Sequence, residues 1–420
     1  MIYIPFVYFF LLLTLNFLRT REYNLGNFLL SLYTFSALIS IILYHIDFLR
    51  YKDIEIELSS CIFYCGILTL FFLPFLSKSK TKFHKILLPN PKLFTFVSIF
   101  LIVINCVALL LLAKVIVFIL THDPGALKKD GLKSIYAVNK FEIAGQWILG
   151  HFSDFYLLLL LLFFYSKTYL KNSRLFNNLL LFSSMSTIVN GLFVGGRTQL
   201  IYWVLVFISC FLYFKDDLSK QEKKRVTRLS VIVFSLLFFY LITVTIIRFS
   251  GAFSNATEYA EVFSLLDYAG QSFLNFNDFF INFHPEHYTI ARVFPFTYDW
   301  ISSVNFDLDT YKRSLPIDIG VFSTFLGDFI VDIGALGIVI YTIFYLIAAA
   351  ITQRSVIINS KKFQQILLLF LLFQIPLNGL FYYSLYNKTA MISIVGTVII
   401  SILFKFTEGK SIEVHERSDI

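Results

Sequence analysis

Leu93-Phe-Thr-Phe-Val-Ser-Ile-Phe-Leu-Ile-Val-Ile-Asn-Cys-Val-Ala-Leu-Leu-Leu-Leu-Ala113 runs for 21 residues without a charged side chain. About 20 mainly apolar residues in a helix cross the hydrocarbon layer, because a helix satisfies its own backbone polar groups where water cannot. Similar runs recur from end to end of the chain. Spans are expected near 2–18, 28–46, 58–76, 94–120, 148–166, 178–195, 198–214, 230–247, 330–352, 364–382 and 389–404. The fourth is long enough to tilt or protrude, and the sixth and seventh are joined only by Gly195-Gly196-Arg197. The expected fold class is therefore an all-α integral membrane protein. It is one polytopic domain over residues 1–420 with about eleven transmembrane helices.

Composition agrees. Hydrophobic residues make up 57% of the 420 and charged residues 15%, with a mean hydropathy of +0.75. A soluble domain carries about 25% charged residues, so this chain lacks the polar surface to face water on all sides. The apolar content is heavily aromatic, with 51 Phe and 24 Tyr. Cys61, Cys65, Cys106 and Cys210 all fall inside apolar runs and read as small packing residues, implying neither a disulfide framework nor a metal set. Before its first apolar run the chain has no basic segment, and after it no small-residue cleavage site. That run is expected to be a first span and not a cleaved signal peptide.

The formal net charge is +8. Its basic residues sit in short loops between apolar runs, where they read as topology determinants beside anionic lipid and not as a nucleic-acid footprint. With 77–93 and 215–229 placed in the cytoplasm, the cytoplasmic segments hold 22 Lys and Arg and the opposite side 12. The N-terminus is then outside, and the short tail 405–420 inside. Residues 249–329 form the longest stretch between spans and are expected outside. Between 249 and 319 this stretch carries nine acids against Arg292, Lys312 and Arg313, together with many aromatics. A disordered linker would lack those aromatics, so a large extracytoplasmic loop of short amphipathic helices on the membrane face is expected.

Three groups of residues could carry chemistry. Arg197 follows two glycines in Asn190-Gly-Leu-Phe-Val-Gly-Gly-Arg-Thr-Gln199, and Arg248 ends the eighth span on the same side. Guanidinium groups there, with Arg292, Lys312 and Arg313 in the loop, could grip a phosphate bidentately; snorkelling at helix ends is the plainer reading. His284-Pro-Glu-His287 offers titratable groups near neutral pH, against a plain polar loop. In Gly327-Asp-Phe-Ile-Val-Asp-Ile-Gly-Ala-Leu-Gly337, Asp328 and Asp332 share one helix face at a membrane boundary. Such acids need a cavity or a cationic partner, and a salt bridge to one of the arginines is the plainer outcome. Lys114, His151 and Asp154 are further ionisable residues near the membrane. No nucleotide-binding glycine motif or ATPase-sized cytoplasmic loop is found, so any chemistry must draw its energy from the substrate.

The helix count, the Gly-Gly-Arg turn, the large outer loop and the run Ser323-Thr-Phe-Leu-Gly-Asp-Phe-Ile-Val-Asp-Ile-Gly-Ala-Leu-Gly337 together resemble the Wzy-type O-antigen and capsular oligosaccharide repeat-unit polymerases. Phe329 or Ile330 stands where that family often has Tyr. The resemblance implies a membrane glycosyltransferase in the cytoplasmic (inner or plasma) membrane of a bacterium. It would join repeat units carried on undecaprenyl pyrophosphate, with the donor's pyrophosphate as leaving group. It implies no metal or other cofactor. The implied partners are lipid-linked oligosaccharide, membrane lipids, a chain-length regulator and a flippase, and no nucleic acid. On that reading Arg197, Arg248, Arg292 and Arg313 hold the pyrophosphate, since its developing charge needs fixed cationic donors. His284, His287 and Asp328 are the candidate catalytic residues. The competing readings are an O-antigen ligase, a flippase or other transporter of lipid-linked oligosaccharide, and a noncatalytic scaffold. A transporter predicts two similar halves and polar residues at mid-membrane, and the sequence has no internal repeat.

Overall fold

The computed structural model describes residues 1–46, 51, 54–76, 85–121, 136, 138–193, 198–250, 260–283, 290–294, 321–354, 360–385, 387–407 and 411–413. These are almost wholly helical, apart from one small three-stranded sheet. Among the described residues, seven helical stretches are long and apolar enough to cross a membrane: Tyr3–Thr20, Leu25–His45, Leu58–Phe75, Pro91–Leu111, Lys140–Leu170, Thr324–Gln353 and Lys388–Phe406. Thr198–Phe214 and Phe363–Asn378 are shorter apolar helices. The chain has the make-up of a multi-pass membrane protein.

Several of the expected spans take a different form. The run 94–120 divides at Leu112 into Pro91–Leu111 and Ala113–Thr121, rather than tilting as one rod. The run 178–195 divides at Met185 into Arg174–Ser184 and Ser186–Phe193. The run 230–247 lies inside one long helix, Lys220–Ser250. The run 364–382 stops at Asn378, and Gly379 begins an irregular turn. Residues 260–282 do not form short surface helices. They make one 23-residue helix packed into the bundle, with Phe273, Leu274, Phe276 and Phe279 buried.

Periodicity explains which helices are central. Tyr156-Leu-Leu-Leu-Leu-Leu-Leu-Phe-Phe-Tyr165 is apolar all round, and each of its ten residues is buried. On Tyr3–Thr20, by contrast, Phe10, Leu11, Leu15 and Leu18 are exposed, as are Leu336, Phe344 and Ile351 on the late long helix. An apolar exterior of this kind is what lipid contact requires.

Two observations bear on sidedness. Strands β1 (Lys85–Leu87), β2 (Ser360–Lys362) and β3 (Ser411–Glu413) pair in the order β2-β1-β3, joining three segments expected in the cytoplasm. At the other end of Leu58–Phe75, Asn277 Nδ2 donates to the Glu55 carbonyl at 2.7 Å, and Tyr51 donates to Asp267 at 2.5 Å. Segments expected outside thus meet one another as well. Gly270 lets the 260–282 helix touch the Leu25–His45 helix, because a Cβ there would lie 2.7 Å from the Ile39 carbonyl carbon and 2.8 Å from the Ser40 nitrogen. Backbone atoms cannot swing aside, so Gly270→Ala is expected to destabilise the protein by about 1 kcal/mol or more. Thermal unfolding of the detergent-solubilised protein measures it.

The Thr324–Arg354 helix folds back on itself. Gly334 has φ 70 and ψ 176, a conformation outside the helical region. Phe329 and Tyr341 have ring centroids 4.8 Å apart, whereas 12 residues of continuous helix would separate them by about 18 Å. Phe325 and Tyr345 both pack on Phe71, at 4.8 and 4.4 Å. Residues 324–333 therefore form a half-helix lying beside 335–354. Phe71 sits 13 residues into its own helix, about 20 Å from that helix's start. The half-helix accordingly begins deep in the bundle.

Candidate functional site

Two broken helices meet end to end at that depth. Phe325 N donates to the Gly379 carbonyl at 2.8 Å, and Ser323 N and Thr324 N donate to the Phe381 carbonyl at 3.1 and 2.9 Å. The amides orphaned at the start of one helix thereby find carbonyls just past the end of the other, which lets irregular backbone exist away from water. The 260–282 helix clamps the junction, with Ser272 Oγ donating to the Leu380 carbonyl at 2.9 Å and Asn275 Nδ2 to the Phe322 carbonyl at 2.8 Å.

Asp328 and Asp332 project from the half-helix onto the turn 290–294. Asp332 Oδ2 accepts from the backbone nitrogens of Arg292 at 3.0 Å and Val293 at 2.7 Å, and the Asp332 carbonyl accepts from Ile290 N at 3.2 Å. A carboxylate receiving successive backbone N–H groups fixes that turn much as a side-chain cap fixes a helix start. Ile290 sits at φ 54, an uncommon conformation for a β-branched residue. So held, Arg292 reaches back and its Nη2 pairs with Asp328 Oδ1. The other oxygen, Oδ2, accepts from Tyr383 N at 2.5 Å. Arg292 is 5% exposed and Asp328 1%. Yet Arg292 Nε and Nη1 have no hydrogen-bond partner among the described residues. Tyr341 and Tyr383 hydrogen-bond to each other beside the pair.

The chemistry follows from those two unpartnered donors. A buried guanidinium costs free energy unless its N–H groups are met. With Nη2 fixed on Asp328, the Nε–H and Nη1–H groups remain on opposite edges of the guanidinium plane, each able to donate to one phosphate or carboxylate oxygen. Asp328, bonded to Arg292 Nη2 at one oxygen and to Tyr383 N at the other, is placed to aim the guanidinium.

Of the residues singled out by sequence, the structure brings together Arg292, Asp328 and Asp332. Arg248 lies in the last turn of Lys220–Ser250, its side chain outside the described residues. Arg197, His284, His287, Lys312 and Arg313 also lie outside them. Sequence reasoning missed Tyr383 and its turn. Asn378-Gly-Leu-Phe-Tyr-Tyr-Ser-Leu-Tyr-Asn387 was legible as an aromatic stretch punctuated by Asn and Gly, but it merged with the apolar run before it. Compared with known proteins, the chain matches no family model, no curated sequence and no solved structure.

Proposed function

We propose that this chain is a membrane glycosyltransferase that joins undecaprenyl-pyrophosphate-linked oligosaccharide repeat units into a surface polysaccharide, O-antigen or capsule. It works at the outer face of a bacterial cytoplasmic membrane, with the N-terminus outside and the C-terminus inside. The observation that carries this reading is the buried Arg292 guanidinium, aimed by Asp328 and keeping two N–H donors unmet among the described residues. A pyrophosphate leaving group develops negative charge as its bond to the sugar breaks. Fixed donors in a water-poor site stabilise that charge without having to reorganise. Arg197, Arg248 and Arg313 are further candidates for the diphosphate. His284 or His287 would receive the acceptor proton, because Asp328 is committed to Arg292.

The test is deletion of the gene followed by gel analysis of surface glycan. Loss of long chains with survival of single-unit caps is expected. Arg292→Lys keeps the charge but loses the fork, and removing one such fixed donor lowers turnover by about 10²–10³-fold, enough to erase the long-chain ladder while protein levels hold. Arg197→Ala is expected to do the same. A full ladder in Arg292→Lys would sink the role given to this guanidinium. A second reading, transport of lipid-linked oligosaccharide, is favoured by the broken helices meeting inside the bundle, since carriers build their sites that way. It predicts loss of every capped species, single units included.

A further inference from the structure

A polar cavity of about 70 Å³ lies beside the Arg292 site and is lined by Asp154, Tyr156, Gln199, Gln374, Asn378 and Ser384, among others. Each of these arrives from a helix interruption or helix end. Asp154 sits in the 3-10 turn Ser153–Phe155 that breaks the 140–170 stretch, and Tyr156 follows it. Gln199 opens the Thr198–Phe214 helix, Gln374 and Asn378 close Phe363–Asn378, and Ser384 lies in the turn beyond.

The hydrogen bonding inside is incomplete. Tyr156 Oη accepts from Gln374 Nε2 at 3.1 Å and from Asn378 Nδ2 at 3.0 Å, which occupies both lone pairs and leaves its proton for the cavity. Asn378 is fully buried, yet its Oδ1 has no partner among the described residues, and the same holds for Gln199 Oε1 and Ser384 Oγ. Thr389 Oγ1 donates to Asp154 Oδ2 at 2.9 Å. Turning either amide over changes which atom is left over but not that one is. Leaving such atoms unmet costs about 1–3 kcal/mol each, so a polar guest is called for. The space holds about five waters at roughly 10–15 Å³ apiece.

The chemistry of the lining selects the guest. Among the described residues no basic side chain lines the cavity, so their chemistry favours a neutral polar guest over the anion that suits the Arg292 site. Carboxylate, amide and hydroxyl groups offer donors and acceptors together, which a sugar hydroxyl answers because it both donates and accepts. Aromatic Tyr202 and Tyr382 close the wall, their rings 6.0 Å apart and inclined at 60°. Tyr382 lines this cavity, while the next residue, Tyr383, holds Asp328 through its backbone nitrogen. We infer that the cavity is a hydroxyl-recognition subsite holding a sugar ring of the carbohydrate substrate. Asp154 accepts from one ring hydroxyl, and Gln199, Asn378 and Ser384 read its neighbours. The inference rests on the glycan reading above and adds to it a division of labour: anion on Arg292, hydroxyls on Asp154 and the amides.

The experiment titrates the full-length protein in detergent micelles with a panel of neutral monosaccharides at millimolar concentration, reading the unfolding midpoint. At least one sugar is expected to raise the midpoint saturably. Asp154→Asn and Asn378→Leu should weaken that binding about tenfold or more, as the loss of one buried hydrogen bond to a charged or polar group predicts, and Arg292→Lys should not. Gln199→Leu, at a half-buried position, gives the same reading if Asn378→Leu fails to fold. The inference is overturned if no sugar in the panel acts, or if its effect survives Asp154→Asn. Stabilisation by sodium over potassium without sugar would also overturn it, marking the cavity as a cation site. If a sugar binds here while gene deletion leaves surface glycan unchanged, the polymerase reading falls and the subsite stands. If the glycan test succeeds and no sugar binds, only the subsite falls.

Discussion

Asp328→Ala is expected to lower the stability of the protein by about 3–5 kcal/mol, the cost of removing the ion-pair partner of a buried charge. Arg292 is 5% exposed and its Nη2 pairs with Asp328, so in the variant the buried guanidinium loses its ion-pair partner among the described residues. Tyr383 N loses its acceptor in the same step, adding to the loss. Replacing both members with apolar side chains, Arg292→Met with Asp328→Leu, removes the stranded charge. It should recover most of the stability or exceed the native value, as apolar replacements of buried ion pairs do. Chemical denaturation in micelles, followed across the two single variants and the double, gives the coupling directly. The double variant also separates fold from function, since a well-folded protein without the guanidinium should still make no long-chain glycan. Asp328→Ala within about 0.5 kcal/mol of the native protein would mean that Arg292 is not held as described.

The helical, lipid-facing character was legible because it needs only long apolar runs, and those the sequence displays from Tyr3 to Phe406. The breaks were not. Leu112 and Met185 interrupt their helices without Pro or Gly at the break, so no local signal separated 94–111 from 113–121 or 174–184 from 186–193. The 260–282 helix was read as loop because Glu261, Asp267 and Asp278 lower its mean hydropathy. Its burial comes instead from Gly270 and a phenylalanine face, whose partners lie more than 200 residues away in the chain.

The candidate site was half legible. The four-residue spacing of Asp328 and Asp332 placed both on one face, and a salt bridge to an arginine was foreseen. Which arginine was not, because Arg292 comes from a turn fixed by Asp332 and by an Ile290 backbone that no periodicity reveals. Asp154, one of several near-membrane ionisable residues in the sequence, gained meaning only when Asn378, Gln374 and Gln199 converged on its cavity from two helix ends.

Gly334→Ala should show the second large effect, because the reversal that places both acids depends on one backbone conformation. At φ 70 and ψ 176, Gly334 occupies a region that is essentially glycine-only, and forcing an L-residue into it costs of the order of 3 kcal/mol. The alternative for the chain is to relax toward a straight helix. That would pull Phe325 and Phe329 off Phe71 and Tyr341 and carry Asp328 and Asp332 away from the 290–294 turn. Either path predicts a lower unfolding midpoint and loss of the polymer ladder together. Gly66→Ala is the matched control, since it lies within Leu58–Phe72 and a Cβ there meets nothing within 4 Å. Alanine is favoured over glycine by about 1 kcal/mol inside a helix, so that variant should be as stable as the native protein or more so. Equal midpoints for Gly334→Ala and Gly66→Ala would show that the fold-back is not what holds the acids against Arg292.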